Sequence, residues 1–372
     1  MKTVDIAKEL MKYETISPIE KPRVFQFLKG LLEKHGISAE VREIEGVYNL
    51  TAETGDRNSG ESICLNGHLD VVEPEGEWSV TRPFKPKIED QKLYGRGATD
   101  MKGEAAALIK AFIELHEDEG FNGHCTLMLV GDEEIGGYRG TEPLVDEHYR
   151  KHEGFDYAII GEPTDLNIQV GTRGVLWLNV LLEGEGVHAS RAHIARINVM
   201  EELPKALNRL NNLELTFNNQ GDLPDPSNEV TKIKSTETYN SVPGQVEIGM
   251  DMRILPSQNV DRITEDVEKA LNDLDCGVKV EIEDDLGGAF QLEDEEFKQT
   301  AKKVLDELRQ DEAEYITEGG ASDGRFFSER GTPFIELGLN QESAHAENEY
   351  CSIKSLEKLE ESFYRISKRL VG

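Results

Sequence analysis

Apolar positions recur at helical spacing over residues 3–13 and 20–35, and Gly36 closes the second stretch. The run VREIEGVYNLTAET then reads as strand and turn. Three short apolar runs follow, and each ends in polar residues. SICLNGHLDVV carries His68 and Asp70, CTLMLVGDEEIGG carries Glu133 and Glu134, and FDYAIIGEPT carries Glu162. Between the first two lies YGRGATDMKGEAAALIKAFIELHED, a glycine-rich turn feeding a long helical pattern. Short buried strands alternating with helices predict an α/β sheet with parallel members. In such sheets chemistry gathers beyond the carboxyl ends of the strands, where these polar groups fall.

The middle of the chain differs. GVLWLNVLLEGEG and GQVEIGMDMRIL alternate apolar and polar residues, as half-exposed strands do. A helix is expected from Asn198 to Leu210, a polar loop at NNQGDLPDPSN, a second helix from Val260 to about Leu274, and a strand at CGVKVEIED. This order approaches β-α-β-β-α-β, a ferredoxin-like α+β arrangement. From Glu293 the pattern returns to helix, strand, helix. The expectation is a discontinuous α/β domain, residues 1–172 and 286–372, with a mixed, mostly parallel sheet flanked by helices. A smaller domain, residues 173–285, interrupts it. A length of 372 residues suits more than one domain.

Charge narrows the partners. The chain has 73 acidic and 41 basic side chains, a net charge of -32 spread over its whole length. Such a surface repels phosphate and anionic lipid, so neither nucleic acid nor a membrane is an expected partner. It suits a salty, halophilic cytoplasm, where counterions screen the self-repulsion. Cys64, Cys125, Cys276 and Cys351 are widely spaced, with no Cys-x-x-Cys pair, which signals neither a zinc ribbon nor a disulfide framework. Cys64 and Cys125 sit in apolar runs and read as buried thiols. No signal-type apolar core opens the sequence, and no run approaches the roughly 20 apolar residues of a membrane span. A cytoplasmic protein is expected.

Each polar cluster alone has a plain alternative. His68 and Asp70 fall on one face of a strand, a pair that is often structural. Asp100 would serve equally as a helix N-cap. Glu133 and Glu134 read as surface in so acidic a chain, except that they follow the apolar run LMLVG with only Asp132 between, where burial of an acid costs energy without a compensating positive group. Together with Glu162 and the distant His345, they make two imidazoles and several carboxylates, a set suited to zinc, cobalt or manganese. Two such ions sharing a carboxylate suit a hydrolytic displacement.

The stretches NGHLDVVEP, YGRGATDMKG, DEEIGG, GEPT, VGTRG, VHASRAHIARIN, MDMRILP, GGASDGRFF and SAHAENEY occur in an order that resembles the M20 family of metallopeptidases and deacylases. That family includes acetylornithine deacetylase, succinyl-diaminopimelate desuccinylase and carboxypeptidase G2. The resemblance covers nearly the whole chain. It implies a zinc-aminopeptidase-like catalytic domain with two zinc ions per subunit, which cobalt or manganese can replace. His68 and Glu162 would hold one ion and Glu134 and His345 the other. Asp100 would bridge both, and Asp70 would orient His68. Glu133 would be the general base, moving a proton from the attacking water to the leaving amine. The inserted domain would form a homodimer through residues 173–285, with His188 reaching the partner's oxyanion. Arg253 would grip a substrate carboxylate, with Asn240 and Arg173 as further substrate contacts.

The substrate implied is an N-acyl amino acid, N-succinyl-diaminopimelate first. The SDGRF run supports that branch. Ala321, where desuccinylases usually carry threonine, and the ASRAH run after His188 leave N-acetylornithine, an acyl-lysine or a dipeptide as alternatives. A catalytically inactive metal-binding scaffold is the rival of another class. It predicts a lost ligand or a lost Glu133 equivalent, and neither is lost.

Overall fold

The computed structural model describes residues 1–58, 60–218, 221, 223–235, 238–317 and 320–372. Asn219, Gln220 and Asp222 of the expected polar loop, and Gly319 of the GGASDGRFF run, lie outside the described residues. The chain forms two compact units, each with its own apolar core. The first comprises residues 1–170, 292–316 and 322–372, and the second residues 171–291 with 317–321. The short return at 317–321 had no counterpart in the sequence reading.

The first unit is built on an eight-stranded sheet. Its spatial order is Ala39–Ile44, Val47–Gly55, His124–Val130, Ser62–His68, Tyr157–Ile160, Phe334–Glu336, Ile168–Gln169 and Tyr315–Ile316. The four strands from His124–Val130 to Phe334–Glu336 run parallel to one another, while Val47–Gly55 joins one side of them antiparallel, as does Ala39–Ile44 beyond it, and Ile168–Gln169 pairs antiparallel on the other side. Every residue of His124–Val130 and Tyr157–Ile160 is buried, as parallel strands covered on both faces require. The C-terminal helix Ile353–Val371 buries Leu356, Leu359, Phe363 and Ile366, a stripe at helical spacing, and packs on helix Lys102–Glu117. Burying each such side chain contributes roughly 1.5–3 kcal/mol. Cys64 and Cys125 are buried here as free thiols.

The second unit is a four-stranded antiparallel sheet, ordered Ser227–Lys234, Gln245–Ile254, Gly174–Glu183, Gly277–Gly287. With helices Val199–Asn211 and Val260–Ala270 in their chain positions, this is the ferredoxin-like order. Leu176, Leu178, Val180 and Leu182 alternate inward on the central strand. Two expectations are corrected. The second helix stops at Ala270, not Leu274, although Leu271 and Leu274 remain buried in turns. Strand Ser227–Lys234 was not foreseen, because most of its residues are exposed and no apolar alternation marks it. Among the described residues no helix is long and apolar enough to cross a membrane.

Candidate active site

The parallel strands of the first unit bring their carboxyl ends to one edge of the sheet, and the polar residues that follow them converge there. Strand Ser62–His68 ends on His68 itself, so Asp70 lies two residues beyond the strand rather than within it. After His124–Val130 the chain makes one 3-10 turn, Glu133–Ile135. Gly136 and Gly137 close that turn at φ +111° and +63°, the left-handed region that glycine enters without penalty. A Cβ on Gly137 would also stand 2.2 Å from Asp323 Oδ1. Glu162 follows Tyr157–Ile160 after one glycine. Asp100 precedes helix Lys102–Glu117, whose N-cap is Met101, so Asp100 is not the cap.

Asp100 lies between two imidazoles. Its Oδ1 is 3.3 Å from His68 Nε2 and its Oδ2 is 3.0 Å from His345 Nε2. Each imidazole meets further carboxylate oxygens. His68 Nε2 lies 3.8 Å from Glu133 and 3.9 Å from Glu162, and His345 Nε2 lies 3.3 Å from Glu134. Two overlapping groups are compact enough to hold an ion: His68, Asp100 and Glu134, and His68, Glu133 and Glu162. The second makes Glu133 a candidate ligand, where the sequence reading had it only as a base.

The protonation pattern fits a cation. His68 Nδ1–H donates to the Asp70 carbonyl at 2.9 Å, while the Asp70 carboxylate is 3.5 Å away, so the orienting contact is mainly backbone. This leaves Nε2 facing carboxylates, where it holds a proton that a bound ion would displace. Burial opposes a charged His68, but hydrogen bonding to Asp100 and Asp70 raises its pKa well above the usual value. Asp100 and then Glu134 push the half-exposed His345 up to about 10. Burial, then the charge of neighbouring acids, raises Glu133 and Glu162 well above the carboxylate range. Glu134 Oε1 and Glu162 Oε1 are buried and accept no hydrogen bond among the described residues. Positive charge is what this donor set lacks, and the residues fit a metal ion.

Asp70 is fully buried and saturated. It accepts from Ser17 Oγ at 2.6 Å and from the backbone N–H groups of Glu133 and Glu134 at 3.3 and 3.1 Å. Ser17, Arg96, Thr141, Asp323 and Glu349 support the cluster and were missed. Thr141 Oγ1 donates to Asp323 at 2.6 Å, and Glu349 receives Arg96 at 2.8 Å. Asp323 and Glu349 stand inside the SDGRF and HAENEY runs. Nothing local separated them from surface acids.

The remaining candidates lie in the second unit, where they form two pairs. His188 pairs with Ser241 across a short ladder, and Ala189 N–H donates to the Asn240 carbonyl at 2.9 Å, so His188 and Asn240 are neighbours. His188 is exposed, and its Nδ1 meets Ser190 Oγ at 2.8 Å. Arg253 lies opposite Ser227 in the sheet, and Arg173 Nη1 donates to the Asp225 carbonyl at 2.9 Å and to Ser227 Oγ at 3.4 Å. Arg253 also donates through Nε and Nη2 to Asp251, at 2.8 and 3.3 Å.

The profile of peptidase family M20/M25/M40 matches residues 64–369. The succinyl-diaminopimelate desuccinylase of Rickettsia felis is 30% identical over 380 residues, covering 97% of this chain and 98% of that protein. Among solved structures, the M20 metallo-carboxypeptidase Sso-CP2 of Sulfolobus solfataricus superposes with a TM-score of 0.78 at 20% identity, covering 99% of each chain. The dinuclear metal-binding M20 peptidase YXEP of Bacillus subtilis has a TM-score of 0.73 at 15% identity, covering 99% of this chain and 97% of its own. On the family match and the geometry of the site, the chain belongs to peptidase family M20/M25/M40 and is a metal-dependent hydrolase of that family.

Proposed function

We propose that the protein hydrolyses the amide bond of an N-acyl amino acid, with N-succinyl-diaminopimelate as the leading substrate. One observation carries the chemistry: the two oxygens of Asp100 face two different imidazoles, each with a further carboxylate at hand. The desuccinylase relative, aligned over nearly the whole of both chains, supports the substrate class.

In this reading His68 and Glu162 hold one zinc ion and His345 and Glu134 the other, with Asp100 shared; cobalt or manganese can substitute. When bound, the ions supply Lewis acidity toward the scissile carbonyl. Glu133 takes a proton from the attacking water and returns it to the leaving amine. Burial raises its pKa against the pull of His68, a direction that suits a group that must both accept and give a proton. Asp70 fixes the His68 ring and, through two backbone N–H groups, the turn that carries Glu133 and Glu134.

Recognition falls to the second unit. Asp251 occupies the Nε–Nη2 edge of Arg253, which leaves Nη1 for a substrate carboxylate. Arg173, whose Nη1 reaches Ser227 opposite Arg253 on the neighbouring strand, and Asn240 add contacts. His188 stabilises charge developing on the acyl oxygen, in a homodimer formed through residues 173–285. The acidic surface is an adaptation to a salty, halophilic cytoplasm.

The experiment is hydrolysis of N-succinyl-diaminopimelate, N-acetylornithine, an N-acyl-lysine and simple dipeptides by purified protein. Each is run with zinc or cobalt, with and without chelator, at low and molar KCl. The expected result is chelator-sensitive turnover of the succinyl substrate, faster in molar KCl. Turnover of the acetyl or dipeptide substrates instead moves the protein to another branch. No turnover of any substrate by metal-loaded protein favours the inactive scaffold.

A further inference from the structure

Glu349 is fully buried and accepts four hydrogen bonds. Arg96 Nη1 and the Gly97 N–H reach Oε2 at 2.8 and 2.9 Å. The N–H groups of Thr99 and Asp100 reach Oε1 at 2.9 and 3.1 Å. Every donor therefore comes from the loop that presents Asp100. The guanidinium of Arg96, itself buried, uses Nη2 to donate to the backbone carbonyl of His345 at 3.2 Å. One ion pair thus holds the bridging carboxylate and the distant histidine together.

His345 needs holding. It sits at φ +60°, the left-handed region, which is costly for a residue with a Cβ and persists only where surrounding contacts enforce it. The Arg96 bond to its carbonyl is such a contact. His68, by comparison, is anchored by the strand it ends and by its bond to the Asp70 carbonyl. A buried ion pair adds little net stability over apolar side chains of the same size. What this one supplies is position.

We propose that the Arg96–Glu349 pair is a positioning device that sets the affinity of the ion held by His345 and Glu134, and acts little on the ion held by His68 and Glu162. The inference rests on the two-ion reading above. Arg96→Lys keeps a cation beside Glu349 and leaves its three backbone hydrogen bonds, but shortens the reach to the His345 carbonyl. Glu349→Gln keeps the side-chain shape and sets an amide N–H₂ against donors.

The test strips the full-length protein with chelator and titrates it with cobalt by calorimetry, alongside the cobalt d–d absorption and melting of the metal-free protein. Wild type should take up two ions. Arg96→Lys should bind one ion as wild type does and the other 10–100-fold more weakly, with an altered absorption band and a metal-free melting temperature close to wild type. Glu349→Gln should weaken the same ion at least as much. Two ions bound with wild-type affinities in both variants would overturn the proposal. Equal weakening of both ions with a lowered metal-free melting temperature would overturn it as well, since that marks structural support alone. Fewer than two ions in wild type would sink the two-ion reading first, and this proposal with it.

Discussion

Glu133→Gln separates the two roles the site offers this residue. The Glu133 side chain accepts no hydrogen bond among the described residues, and its nearest basic group is His68 Nε2 at 3.8 Å. The amide therefore fits the same space, and the backbone tie from Glu133 N–H to Asp70 stays in place. As a base that becomes an acid, Glu133 serves two proton transfers. General acid–base catalysis is worth about 10²–10⁴-fold, or roughly 3–5 kcal/mol of barrier, and a double role belongs at the upper end. The predicted kcat falls by roughly 10³-fold or more, while KM and the count of bound ions hold. Metal-free stability should hold or rise. Burial, then Asp323, Glu134 and Asp70, disfavours the Glu133 charge, and the amide carries none. The assay pairs steady-state kinetics with elemental analysis of the same protein. If kcat stays within tenfold of wild type, Glu133 is not the base. If one ion is lost, the compact group of His68, Glu133 and Glu162 is the true ligand set and Glu133 belongs in it.

Arg253→Ala should raise KM by one to two orders of magnitude with little change in kcat, since a charge-assisted hydrogen bond contributes about 1.5–3 kcal/mol; an unchanged KM would reduce Arg253 to the partner of Asp251. His148 predicts a pH dependence of stability. Burial holds its pKa down at about 4, against about 6.5 in an unfolded chain. The unfolded state thus takes up the proton first, and stability present above about pH 6.5 is lost as pH falls toward 4, by up to roughly 3 kcal/mol. His148→Phe keeps the stack on Phe155 at 3.6 Å and removes the titration, so its urea midpoint should vary less between pH 7 and 5. A profile as steep as wild type would refute the assignment.

How much of this was legible depends on what each residue's neighbours revealed. His68, Glu133, Glu134 and Glu162 stood out because they end or closely follow apolar strands, and the strand pattern alone put them at one edge. Asp100 and His345 lie in irregular loops whose paths are set by distant contacts, so residue type alone grouped them with the others, and the family resemblance gave each its place in the cluster. Strand Ser227–Lys234 escaped because both of its faces are largely polar, and helix Val260–Ala270 was overrun because Leu271 and Leu274 keep the apolar spacing after the helical hydrogen bonds stop. Arg253 was read correctly as a strand residue, but its fork around Asp251 is a side-chain geometry that spacing does not encode.

Glu349 was the hardest case, and it shows why composition hides this kind of site. Two residues before it, Glu347 is exposed; Glu349 is fully buried, and no local pattern tells them apart. What separates functional from supporting acids is how their charge is compensated, because a buried carboxylate must find donors or a cation. Glu349 has an arginine and three N–H groups, Asp70 has a hydroxyl and two N–H groups, and Glu336 has Ser322 and Gln169. These are saturated and hold the fold in place. Asp100, Glu134 and Glu162 have only imidazoles in view, and two of them keep a bare buried oxygen. Glu104, Asp132 and Asp323 also keep a bare buried oxygen, but among the described residues none of them pairs with an imidazole, so in a chain with 73 acidic side chains it is missing compensation beside two imidazoles that marks where a metal belongs.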